Sequence, residues 1–402
     1  MQVSGEKALR GTQKRQRGFV MNCGKLTESI YERSVVKVVK TDSTENRKFY
    51  DGAGLGADCA ILAAGEDRAG IVSGQALASG TDQKVLVRAY MAAVNHMLVC
   101  SQHKSLSGLQ TAHADITVMI PEKLREIKLR GMIEAVSAQA EETGVPISSC
   151  NVQVLGAVAE PIASCVAGAG VDDRCMRDLF PLKKKALADR EIVMTKWIGL
   201  EGTALIAQES RERLRGRYPA DIVEEAAEFY RYLSVVPEAA TAVKSGAGYL
   251  HVVREGGVFG GLWELAAANG VGLVVDLKRI PVRQETIEVC EYFDLNPYEL
   301  LAGGSLLIVT SNGGELVHEL EKTGVPAAVI GRTTQGNDRI VCHGEESRFL
   351  EPSCSDQIYT YKKKTEEFYN ERTDIINHRK EQQDRPARAC SDPGHGGDGC
   401  HQ

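Results

Sequence analysis

The chain has 402 residues, 43% of them hydrophobic and 25% charged, with a formal net charge of −6. That length accommodates two domains with separate cores, and the composition is that of a soluble globular protein. The acidic balance, with no basic stripe interleaved with aromatics, argues against nucleic acid or an anionic membrane as partner, and no apolar run reaches the roughly 18 residues of a membrane span.

Eleven cysteines occur without a Cys-x-x-Cys pair, which points to reduced thiols in a cytoplasm. Residues 1–22 carry Lys7, Arg10, Lys14, Arg15 and Arg17 with no apolar stretch behind them. They read as a disordered basic extension, not a secretory signal, with Met21 a candidate start. From Gly24 to Val39 the spacing predicts a short helix leading into a strand. A glycine-rich loop follows, Asp51-Gly-Ala-Gly-Leu-Gly-Ala-Asp58. Cys59 to Ala63 and Ala69 to Ser73 read as paired buried strands. Val87, Met91, Val94 and Leu98 lie on one face of a helix over about 83–99. A strand is expected at Ile116 to Ile120. Pro121 is then placed to open a helix over 122–142, and Ile147 to Val158 resumes as strand. This alternation describes an α/β domain, residues 23–172. Lys183, Lys184 and Lys185 read as solvated linker.

The second domain, 173–361, starts with a strand at Ile192 and a helix from Leu200 to Glu209. Its most informative stretch runs from Leu250 to Thr310. There Gly256 and Gly257 lie between a strand (Tyr249 to Val253) and a helix that Asn269-Gly270 ends, since Gly tolerates the left-handed cap. A buried strand (Val271 to Val275), a helix (about 283–293) stopped by Asn296-Pro297, a Gly303-Gly304 turn and a strand (Leu306 to Thr310) complete it. Residues 362–402 are polar and charged and are read as a short helix followed by disorder.

That order of elements, with Gly256, Gly257, Pro281, Cys290, Asn296 and Pro297 in place, resembles the aminoimidazole-ribonucleotide-synthase superfamily, and within it the HypE-like hydrogenase-maturation branch. Lys196 and Glu201, in Thr195-Lys-Trp-Ile-Gly-Leu-Glu-Gly, match the same relatives. The resemblance implies an α/β plus α+β, two-domain fold whose N-terminal domain closes a barrel with a second copy. It implies a homodimer, or a heterodimer with an active paralogue. It also implies ATP and Mg²⁺ as cofactors, held where acidic loops converge, and phosphate transfer to an amide or carbamoyl oxygen.

Carried over residue by residue, the family's first acidic loop gives Gly56-Ala57-Asp58-Cys59-Ala60, which keeps Asp58 as the metal ligand. The second places Gly74 at its Asp position, the third gives Asn95-His96, the fourth Asn151, and the last falls on Val252. Asp58, Asn95, Gly256 and Gly257 are therefore the cofactor-site candidates, and Gly74, His96, Asn151 and Val252 the degenerate positions. Mg²⁺ requires oxygen ligands, and neutral side chains are weak substitutes for carboxylate. The expectation is an impaired enzyme retained as a binding or regulatory partner, with metallocentre maturation as its setting. The alternative is an active enzyme with relocated acids such as Asp51 or Glu66. His96, Cys100, His103 and Cys150 form a candidate transition-metal or thiol site. In the tail, Cys390, His395, Cys400 and His401 resemble a metal cluster in composition only.

Overall fold

A computed structural model describes residues 25–26, 28–37, 49–51, 59–63, 68–101, 109–172, 187–352 and 355–368. The described residues up to Tyr359 form one compact unit, and those from Thr360 form a second, which is helical over 360–368.

Seven strands build the first sheet of the larger unit. They are β1 (Phe49–Asp51), β2 (Cys59–Ala63), β3 (Arg68–Ser73), β4 (Ala76–Ser79), β5 (Gln110–Ile120), β6 (Ile147–Val154) and β7 (Ile162–Asp172). Their order is β1-β2-β3-β7-β5-β6, and β4 also pairs with β7. All pairings are antiparallel except β5 with β6. The predicted pairing of residues 59–63 with 69–73 is present, with Cys59 opposite Ser73.

Three local expectations are corrected. The helix begins at Glu126, not at residue 122: Pro121 starts a turn in which Leu124 donates to its carbonyl (3.0 Å), and extended Arg125 is the N-cap. Pro fits a first helical position, but it fits a turn equally well. The β-branched pair Val35–Val36 ends a π-helical turn, Glu32–Val36, behind the helix α1 (Glu28–Tyr31), where a strand was expected. Such a run favours a strand only when neighbouring strands pack on it. The third concerns the far end of the strand expected over 147–158: the strand ends at Val154, and Leu155, whose N–H still donates to the Ile120 carbonyl (2.9 Å), begins a turn.

The second sheet has β8 (Glu191–Thr195), β9 (Tyr249–Val253), β10 (Gly272–Asp276), β11 (Ser305–Thr310), β12 (Ala327–Thr334), β13 (Arg339–His343) and β14 (Glu346–Phe349), ordered β14-β13-β10-β12-β8-β11-β9. Strand β11, between β8 and the edge strand β9, is buried along its whole length, as its continuous apolar run predicts.

The helix α2 (Val85–Ser101) packs on β3, β4 and β7 of the first sheet and on β9 of the second. Nearly every one of its side chains is buried, so it is apolar all round instead of striped. One hydrophobic cluster accordingly contains Tyr90, Val94 and Met97 together with Val252, Leu306 and Phe229, while a second lies wholly among residues 187–350.

Candidate functional site

The turn at Gly256 and Gly257 lies between β9 and the helix α8 (Gly257–Asn269; residues 200–209, 211–215, 220–227 and 236–244 hold α4 to α7, and 126–143 holds α3). Both glycines have left-handed backbones, φ 84° and 63°. A Cβ on Gly257 would overlap the backbone of Tyr298 and Glu299, so no other residue fits. Asp356 fills the concave side of the turn, where its carboxylate accepts from the amides of Gly256 (2.7 Å), Leu301 (3.1 Å) and Ile358 (2.8 Å). Burial pushes its carboxyl up to about 7, against those three donors. The two glycines thus face the chain's own carboxylate and backbone.

Beside the turn runs a buried ionic seam. Arg88 of α2 pairs with Asp82 (3.1 Å) and with Glu201 of α4 (3.6 Å), and Arg254 pairs with the same Glu201 oxygen (3.3 Å). Arg254 also donates to the carbonyl of Leu77 in β4 (2.6 Å). Burial opposes the charge on Arg88, yet Asp82, Tyr230 and Glu201 outweigh it and raise its pKa. Gly303 is held against Glu201, where a Cβ would collide with the carboxylate. Lys196 does not join this seam. It pairs with Glu238 at 2.6 Å. Burial pulls the Lys196 ammonium down and pushes the Glu238 carboxyl up, each opposed by the other's charge. A third group links Lys25 to Glu264 (2.6 Å) and Glu264 to His251 (3.3 Å). Burial acts to raise Glu264, but Lys25 and His251 prevail and hold it at about 2.

The other sequence-derived positions are less concentrated. Asn95 lies within α2, not at its end. Its amide donates to the Leu233 carbonyl (2.7 Å) and accepts from Val235 N–H (3.2 Å). The neighbouring His96 carbonyl accepts from the Cys59 thiol (3.2 Å). Exposed Gly74 sits in the two-residue break between β3 and β4. Side chains bridge that break: Ala167 N–H donates to Ser73 Oγ (2.9 Å), and Gln75 donates to Ser164 (2.6 Å). His96, Cys59 and the end of β3 therefore come together. Asn151 does not join them, for it is exposed on β6, three strand spacings from β3, or roughly 14 Å. Val252 is 3% exposed within the core shared by both sheets.

Asp58, Glu66, His103, Lys183 to Lys185, Cys390, His395, Cys400 and His401 lie outside the described residues. Cys100 is half-buried and Cys150 is exposed on β6. Among the described residues no group of three His, Cys, Asp or Glu could hold a metal ion. The described candidate positions offer Mg²⁺ no carboxylate: Gly74, His96, Asn151 and Val252 have none, and Asn95 is committed to the backbone.

Arg88, Asp82, Arg254, Glu238, Glu264 and Asp356 were not singled out from sequence. Two of them were visible there. Arg88 is the lone formally charged residue in Val85–Ser101, apart from titratable His96, and Glu264 is the lone charge in Gly257–Asn269. A charge inside an apolar helix must find a partner.

Residues 188–343 match the family described as AIR synthase related protein, C-terminal domain. The chain is similar to carbamoyl dehydratase HypE of Rhizobium leguminosarum bv. viciae, 24% identical over 249 residues. That match covers 59% of this chain and 66% of the relative, just under two thirds of its length. The fold is also similar to that of a chain in a solved HypE–HypF complex (TM-score 0.55, 15% identity, 79% of this chain and 99% of that one). A hydrogenase maturation protein HypE solved with ATP is equally similar (TM-score 0.55, 18% identity, 75% and 90% covered).

Proposed function

Because the chain belongs to the AIR synthase-related, HypE-like family, we propose that it serves metallocentre maturation of the hydrogenase kind as a binding or regulatory partner, with its own ATP-dependent chemistry impaired. The observation that carries this reading is the fate of Asn95 and Val252. Both fall at family site positions, and here one is spent on the 233–235 backbone and the other is core. Gly74 and Asn151 add no charge, so the field that would gather a cation and a triphosphate is weak. No phosphotransfer step is assigned to these residues.

In this reading the two domains span 23–172 and 173–361, with a polar tail over 362–402. The partner is assigned to the β6 edge of the first sheet, which no other described strand pairs with. Strand β6 is an edge strand exposed along nearly its whole length, with Val154 60% exposed. An edge of this kind recruits another chain unless it is covered. A second copy, or an active paralogue of this chain, would close it. A cytoplasmic location is part of the same reading. Among the described residues no helix is long and apolar enough to cross a membrane.

Titration calorimetry with Mg-ATP, paired with an ATPase assay on the full chain, tests the proposal. The expected result is no binding below about 1 mM and no turnover. Micromolar binding that is lost on Asp58→Asn would overturn it in favour of an active enzyme.

A further inference from the structure

The ammonium of Lys196 has more oxygen neighbours than protons. Its Nζ lies 2.6 Å from Glu238 Oε1, 2.9 Å from the Tyr232 carbonyl, 2.6 Å from that of Ser234 and 2.7 Å from that of Gly304. An ammonium on a side chain donates three hydrogen bonds. The fourth oxygen is therefore held by charge alone, as oxygens are around a spherical ion. The lysine side chain is 7% exposed and that of Glu238 is fully buried. The second carboxylate oxygen, Glu238 Oε2, is buried with no hydrogen-bond partner.

The backbone is bent to deliver this charge. Lys196 has φ 54°, in the left-handed region that residues with a Cβ rarely adopt. Such a conformation persists only where its surroundings fix it. The neighbouring bonds do so: Lys196 N–H donates to Pro326 O (2.7 Å), and Ser305 Oγ donates to Trp197 O (2.6 Å).

We propose that the carbonyls of Tyr232, Ser234 and Gly304 and the Glu238 carboxylate form a monovalent-cation site, which the chain fills with its own lysine. Lys196 is then a tethered ion and a positioning residue. It fixes the connector between residues 232 and 235, which Asn95 grips at the alternate positions Leu233 and Val235. Together they hold α2 of the first sheet to the second. Removing the lysine leaves an anion and three aligned carbonyls in an apolar surround. Distances of 2.6–2.9 Å fit an ammonium ion, and potassium is of similar size. Lithium is too small for the shell and choline too large.

The test compares thermal unfolding of the full-length wild type, Lys196→Ala and Lys196→Met in ammonium, potassium, lithium and choline chlorides at equal ionic strength. In choline chloride Lys196→Ala is expected to melt roughly 5 °C below wild type, because a buried carboxylate has lost its partner. Ammonium or potassium should restore at least half of that loss. The wild type and Lys196→Met, in which a side chain still fills the shell, should show no cation selectivity. Adding Glu238→Gln to Lys196→Ala should abolish the restoration. If Lys196→Ala is insoluble when expressed, its refolding yield in ammonium against choline chloride gives the same reading. Equal melting of Lys196→Ala in all four salts overturns the proposal. So does wild-type stability of Lys196→Met in choline chloride, which would reduce the lysine to a packed stem.

Discussion

Charge is arranged in opposite ways in two regions of this protein. Around the β3–β4 break, at the neighbouring part of α2 and along β6, the candidate positions Gly74, His96 and Asn151 carry no acidic side chain. Where α2 meets the second sheet, Asp82, Arg88, Glu201 and Arg254 are packed into one buried group. The contrast separates two uses of ionisable residues. A charge that meets a ligand must leave part of its field unspent. Charges in the seam are spent on one another, since burial penalises any that are not paired.

The largest test of that contrast is Glu201→Ala, which leaves two buried guanidinium groups without their shared anion. A loss of about 3–5 kcal/mol is expected in denaturant titration. A loss under ~1 kcal/mol would mean that the seam is solvated and available to a ligand.

The next test uses pH. Asp356 titrates at about 7 in the folded chain, above its ordinary 3.8. A raised folded-state value stabilises the fold fully below the unfolded pKa and is lost as pH rises through the folded one. Stability should therefore fall between about pH 4 and 7, by up to ~4 kcal/mol. Asp356→Asn should flatten that slope. A wild-type slope that the variant retains would relocate the titrating group.

Smaller again is Asn95→Ala, which strands the Leu233 carbonyl and the Val235 amide; about 1–3 kcal/mol should be lost. At the far end, Gly74→Asp and Asn151→Asp are exposed changes and should alter stability by no more than ~0.5 kcal/mol each. A much larger cost at either position would erase the difference between the two regions.

Much of the second sheet was legible in the chain itself. Strands at 249–253 and 305–310, the glycine turn between β9 and α8, the Gly270 cap (φ 60°) and the helix Gln284–Phe293 all follow from periodicity and from residues with one conformational use. The first sheet was harder. Its strand β7, paired with β3, β4 and β5, reads Ile-Ala-Ser-Cys-Val-Ala-Gly-Ala-Gly-Val-Asp and was not anticipated. Small residues carry little strand propensity. They are there because α2 lies across this strand and because Gly168 faces His113, whose ring a Cβ would crowd at 3.0 Å.

The order of residues alone determined the fold family and the main elements of the second sheet, because each depends on short-range pattern or on residue identity. Tertiary structure alone decided what the remaining charges do. Lys196 and Glu201 stand five places apart in one motif, yet one is enclosed by Glu238 and three carbonyls and the other by Arg88 and Arg254. Coulomb partners are set by distance in space, and residues as remote in sequence as Lys25 and Glu264 meet only once the chain has folded.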